Sequence, residues 1–96
     1  MPDTQTVTHD ESAHRFEVET DAGVGYLAYR PEGDTLVLLH TDVPSAAEGQ
    51  GVGSALARAA LDHARAEGLG VVPLCTFVLS YLERHPEYAD LVRPRS

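Results

Sequence analysis

The hydrophobic period changes once along this 96-residue chain, and that change limits the possible folds more than any other feature. In the first 40 residues apolar side chains recur at intervals of two or run together. His14-Arg15-Phe16-Glu17-Val18-Glu19-Thr20 alternates polar with apolar, the period of a half-buried strand. Asp21-Ala22-Gly23 signals a turn, and Val24 to Arg30 reads as a second strand. Pro31-Glu32-Gly33-Asp34 is another turn, and Leu36-Val37-Leu38-Leu39 is the unbroken apolar run of a strand buried on both faces. An antiparallel meander is expected here, with a short strand near Thr6 to His9 ahead of it. After residue 50 the period becomes helical. Val52, Ala55, Leu56, Ala59, Ala60 and His63 form one stripe, and Gly68 stands where a C-terminal glycine cap belongs. Leu69 to Leu74 is short and apolar, so Leu36 to Leu74 makes a strand-helix-strand unit long enough for a parallel crossover. A second helix is expected from Phe77 to Arg84, with Thr76 as its N-cap and Pro86 as its stop. One further helical turn is expected within Pro86 to Val92.

Composition removes several classes of function. There is no lysine, which excludes a P-loop and any lysine Schiff base, including a pyridoxal phosphate anchor. The single cysteine allows neither an internal disulfide nor a cysteine zinc site. No run of about 18 apolar residues is present, and the first residues lack a secretory pattern, so a cytoplasmic protein is expected. The net charge of −8 sits wholly in residues 1–48, which carry ten acids and two arginines; residues 49–96 balance five acids with five arginines. Nucleic acid and anionic membranes are therefore unsuitable partners. An anionic small ligand belongs on the neutral half, and the acidic half would attract an amine.

Glu48-Gly49-Gln50-Gly51-Val52-Gly53-Ser54 places three alternating glycines before the first helix. A helix start presents unpaired backbone N–H groups and the positive end of the macrodipole, and the lack of Cβ atoms lets a pyrophosphate approach them. The dinucleotide fingerprint fails, because Ser54 stands at its last glycine. A plain flexible loop is the competing reading. His40 follows the first crossover strand and Cys75 the second, so in a parallel pair both meet the glycine loop at one sheet edge, where open α/β sheets bind ligands. Pro73 cannot donate a ladder hydrogen bond, which would help the strands part and open a cleft. Cys75 lies beside a helix N-terminus, a position that favours thiolate, although most single free cysteines are buried and inert. His40 fits a base, a ligand or a core histidine, the last being the commoner case for a lone histidine.

The remaining residues carry less. His9 and His14 with Asp10 and Glu11 match no standard metal site, and no metal is expected. His63 reads as helix packing, and Tyr26, Tyr29, Tyr81 and Tyr88 as core or rim. There is no G-x-S-x-G elbow for a serine triad.

Taken in order, His40-Thr41-Asp42-Val43-Pro44, then Glu48 to Gly53, then Val72-Pro73-Leu74-Cys75-Thr76-Phe77-Val78, then Tyr81, and then Arg84-His85-Pro86-Glu87-Tyr88 resemble the small, single-domain YjdJ-type branch of the GNAT acetyltransferase superfamily. The likeness spans about residues 6–92 of a single domain covering 1–96. It implies an α+β fold in GNAT topology: a mixed, mostly antiparallel sheet with a βαβ crossover and about two main helices. It implies acetyl-CoA as co-substrate and transfer of acetyl to an amine acceptor, a small molecule or a protein. The backbone of Gln50, Gly51, Val52 and Gly53, with Glu48, Gly49 and Ser54 around it, would hold the pyrophosphate. Glu48 stands where the wider superfamily has Arg or Gln, so only its backbone amide carries over. The pantetheine arm would lie along His40, Thr41, Asp42 and Val43. Cys75 would sit near the thioester; either the amine attacks the thioester directly or Cys75 takes the acetyl group first and passes it on, with a role for Cys75 preferred and His40 as proton acceptor. Larger relatives shape an acceptor site with extra N-terminal helices, and this chain has no length for them. A coenzyme-binding or protein-interaction module without turnover is the alternative.

Overall fold

Alternation in the N-terminal half becomes a meander, and the helical stripe becomes a crossover. The computed structural model describes residues 6–93. The strands are β1 (Thr8–Asp10), β2 (Arg15–Thr20), β3 (Gly23–Glu32), β4 (Thr35–Asp42) and β5 (Gly70–Pro73), ordered β1-β2-β3-β4-β5 in one sheet. Each neighbouring pair is antiparallel except β4 and β5, which are parallel and joined through α1 (Val52–Glu67). Helix α2 (Thr76–Arg84) follows β5, and 3₁₀ turns occupy Ser45–Ala47 and Pro86–Leu91. This is the GNAT-like α+β architecture that the motif order implied. β3 and β4 run longer than their apolar segments, and the early strand covers Thr8–Asp10. The first residues are polar and read from the sequence as a loose start; 1–5 lie outside the described residues.

One core forms between the sheet and the helices. Phe16, Val18, Leu27, Tyr29, Leu36 and Leu38 cluster with Leu56, Ala57, Ala60, Leu61 and Ala64 of α1 and with Val78 and Tyr81 of α2. Burying each of the large aliphatic side chains contributes about 1.5–3 kcal/mol. The buried face of α1 differs from the expected stripe: Ala57, Leu61 and Ala64 are fully buried, whereas Ala55, Ala59 and His63 are half-buried. The helix is covered on two sides, by the sheet and by α2 with the following 3₁₀ turn, so a second set of small residues lies inside. Gly68, at φ 71°, closes α1 as expected.

His9, in the edge strand β1, is half-buried against the sheet and α1. Its ring stacks on Phe16 at 4.1 Å, meets His63 edge-on, and shares a 2.6 Å hydrogen bond with the Tyr29 hydroxyl. Burial, then His63, holds it below the ordinary histidine value. Among the described residues no group of three or more His, Cys, Asp or Glu is arranged to hold a metal ion, and no helix is long and apolar enough to cross a membrane.

Tyr88 anchors the C-terminal turn by donating a 2.6 Å hydrogen bond to Asp62 on α1. That bond, then burial, pushes its phenol up from 10.0 to about 12. The folded chain therefore keeps the phenol proton to a higher pH than the unfolded chain. The resulting stability is whole below pH 10 and is lost as pH rises through about 12. Tyr88→Phe should lower stability by about 1.5–3 kcal/mol at neutral pH. In denaturant titrations the gap between variant and parent should close across that alkaline window. A gap that stayed constant there would contradict the assignment.

Candidate functional site

The site forms where β4 and β5 separate. Their last matched pair is Leu38 with Pro73, and the Leu38 carbonyl accepts from both Leu74 N–H (2.9 Å) and Cys75 N–H (3.1 Å). Beyond that point β5 turns into α2, whereas β4 continues to Asp42 beside β3. Two local features favour the parting. Pro73 has no N–H to extend the ladder. In addition, the register of β4 with β3 steps from Ala28–His40 to Tyr29–Leu38, which leaves Leu39 as a bulge. A bulge bends its strand and exchanges the faces beyond it. Simple alternation would put His40 on the inner face with Leu36 and Leu38. The bulge instead turns His40 to the outer face beside Tyr26, whose hydroxyl lies 3.2 Å from Nε2. Thr41 takes the inner face, opposite Leu27.

The parted strand ends form one wall of a cleft of about 530 Å³, lined on that side by Thr41, Asp42 and Val43. Glu48, Gly49, Gly51, Val52, Gly53 and Ser54 line the opposite side, where α1 begins. Gly51 caps α1 in the left-handed region at φ 83°, with no side-chain cap, so the first N–H groups of the helix are left for a ligand. The three glycines serve two purposes. Gly49 and Gly51 have φ 87° and 83°, and a Cβ on either would meet no protein atom within 4 Å. Gly53 has an ordinary backbone, but a Cβ there would stand 2.6 Å from Cζ of Phe77. Its missing side chain lets α2 dock on α1.

Besides Ala47 of the first 3₁₀ turn, Phe77 and Arg84 complete the lining. Neither was singled out as a site residue from the sequence, although their spacing of seven places them on one face of a helix. Gln50 does not line the cleft and borders a separate hollow with Thr20, Asp21 and Ala22. Cys75, rather than Thr76, is the N-cap of α2 (φ −81°, ψ 126°), because Thr76 is already the first residue of the helix. The Cys75 side chain is buried, 6% exposed, and its sulfur lies 3.3 Å from the Thr41 hydroxyl. Thr41 lines the cleft and touches the thiol, whereas Cys75 and His40 do not line it, and the structure sets His40 beside Tyr26 rather than beside Cys75. Asp42 and Glu48 bring two carboxylates to the cleft, and Arg84 brings one cation.

Known proteins resemble this chain in sequence and fold. The profile of the GCN5-related N-acetyl-transferase family matches residues 15–91. Protein NATD1 of Mus musculus is 32% identical over 93 residues, covering 92% of this chain and 84% of that protein. Protein NATD1 of Homo sapiens is 32% identical over the same length, covering 92% of this chain and 82% of its own. The solution structure of a GCN5-like putative N-acetyltransferase from Staphylococcus aureus superposes with a TM-score of 0.72 at 26% identity, covering 95% of this chain and 90% of that one. With a family match that takes in every strand but the first, both helices and the whole cleft, the chain belongs to the GCN5-related N-acetyltransferases.

Proposed function

We propose that this protein moves an acetyl group from acetyl-CoA to an amine acceptor by way of Cys75. The observation that carries the reading is the cleft itself, where the uncapped start of α1 faces a strand end that has lost its neighbour. The residues present suit the coenzyme. The open space over Gly49 and Gly51 admits a diphosphate to the backbone N–H groups of Val52, Gly53 and Ser54. The Thr41–Val43 segment suits the pantetheine arm. The coenzyme supplies an activated thioester. Backbone N–H groups freed along β4 would polarise its carbonyl, an effect of about 3–4 kcal/mol per donor.

In the relay, Cys75 sulfur bonds to the acetyl carbon and the coenzyme leaves as its thiol, keeping the proton count even. The amine then attacks the acetyl-cysteine, loses a proton and restores the thiol. Cys75 reaches the cleft through Thr41, which lines it and contacts the sulfur at 3.3 Å. His40, the proton acceptor expected from the sequence, lies on the opposite sheet face beside Tyr26, so the amine proton passes to the departing Cys75 sulfur. The test is calorimetry with acetyl-CoA followed by an amine-acceptor screen. Binding with turnover is expected, binding without turnover would favour a coenzyme-binding module, and no binding would overturn the reading.

Glu48 provides a further check. Its exposed carboxylate lines the cleft that would receive the diphosphate. Glu48→Gln should tighten acetyl-CoA binding about two- to five-fold at low salt, the usual range for an exposed charge pair. The gain should shrink as salt is raised. Unchanged affinity at low salt would place the diphosphate away from Glu48.

A further inference from the structure

Among the described residues arginine is scarce and almost entirely committed. Arg15 pairs with Glu17, Arg30 with Glu32 and Arg65 with Asp90. Arg58 is hydrogen-bonded to Tyr81, and Arg93 to the carbonyls of Asp90 and Leu91. Arg84 has no hydrogen bond or ion pair from its side chain to any described residue, and it is the arginine that lines the cleft. In a chain of net charge −8, acids are abundant, yet this guanidinium is left without one. Such a group is available to an anion, and guanidinium is the side chain best matched to phosphate.

Its place on α2 indicates which phosphate. Phe77 packs on Gly53 at the start of α1, next to the N–H groups that suit a diphosphate. Arg84 lies seven residues further along the same helix face, about 10 Å away at 1.5 Å per residue. Arg84 thus enters the cleft from a point on α2 well away from the start of α1, which suits a second, separate phosphate of a nucleotide better than the diphosphate itself. We infer that Arg84 holds the ribose 3′-phosphate of coenzyme A and makes the cleft selective for it over its 3′-dephospho form. This rests on the coenzyme reading above and adds a residue and a selectivity to it.

Calorimetry with CoA and with 3′-dephospho-CoA tests it, on the parent chain, on Arg84→Gln and on Arg84→Lys. The parent should bind CoA about tenfold more tightly than the dephospho form. Arg84→Gln should remove that preference by weakening CoA alone, and Arg84→Lys should restore part of it. Because Arg84 is exposed and unpartnered, thermal melting of both variants should match the parent. Equal weakening of both ligands would assign Arg84 to the diphosphate and overturn the inference, as would unchanged affinity for both. If the parent bound neither ligand, the coenzyme reading itself would fall and take this assignment with it.

Discussion

Gly51→Ala should weaken acetyl-CoA binding by at least about 30-fold while the chain still folds. Two effects combine at this position. Gly51 holds φ 83° as the cap of α1, and a non-glycine residue in the left-handed region costs about 1–2 kcal/mol. A methyl group there would also occupy space that no protein atom claims and that the diphosphate needs. Gly33 separates these effects. It too has positive φ, 61°, and a Cβ there would meet nothing within 4 Å, but it lies in the β3–β4 turn away from the cleft. Gly33→Ala should show a similar loss of stability in thermal melts and unchanged coenzyme affinity in calorimetry. Equal affinities for the two variants would remove the glycine loop from the binding site.

Cys75→Ala should lower acetyl transfer by at least about 100-fold and leave acetyl-CoA affinity nearly unchanged, because deleting a nucleophile removes chemistry without removing binding. In intact-protein mass spectrometry, parent chain mixed with acetyl-CoA in the absence of acceptor should gain one acetyl group, mapped to Cys75 by peptide digestion. Thr41→Val should separate access from chemistry. Its side chain is similar in size, but it gives up the hydroxyl that lies 3.3 Å from the sulfur, so the rate of Cys75 acetylation should change while affinity holds. Full activity in Cys75→Ala would eliminate the relay and leave direct attack by the amine, with the cleft assignment intact.

Legibility followed the range of the interactions. The meander, the crossover and the α1 cap at Gly68 were evident because each depends on local period or on one residue's backbone freedom. Most of the cleft lining was evident for a similar reason: Thr41, Asp42 and Val43 form one run, and the Glu48–Ser54 loop without Gln50 forms another. Phe77 and Arg84 were missed because their role depends on how α2 lies across α1, a packing angle that no local pattern reports. The loop's three glycines look equivalent in sequence. In the fold two permit a left-handed backbone and the third permits a ring-to-backbone contact.

The sequence by itself determined the order of strands and helices, the lack of lysine chemistry and the place of the glycine loop at the first helix, since these follow from composition and from periods read over a few residues. Tertiary structure alone decided which side chains share the cleft. The bulge at Leu39 is the clearest case: one unmatched residue turns His40 outward to Tyr26 and Thr41 inward to Cys75. A bulge arises from how two strands match across the sheet, and that match depends on packing against helices far along the chain.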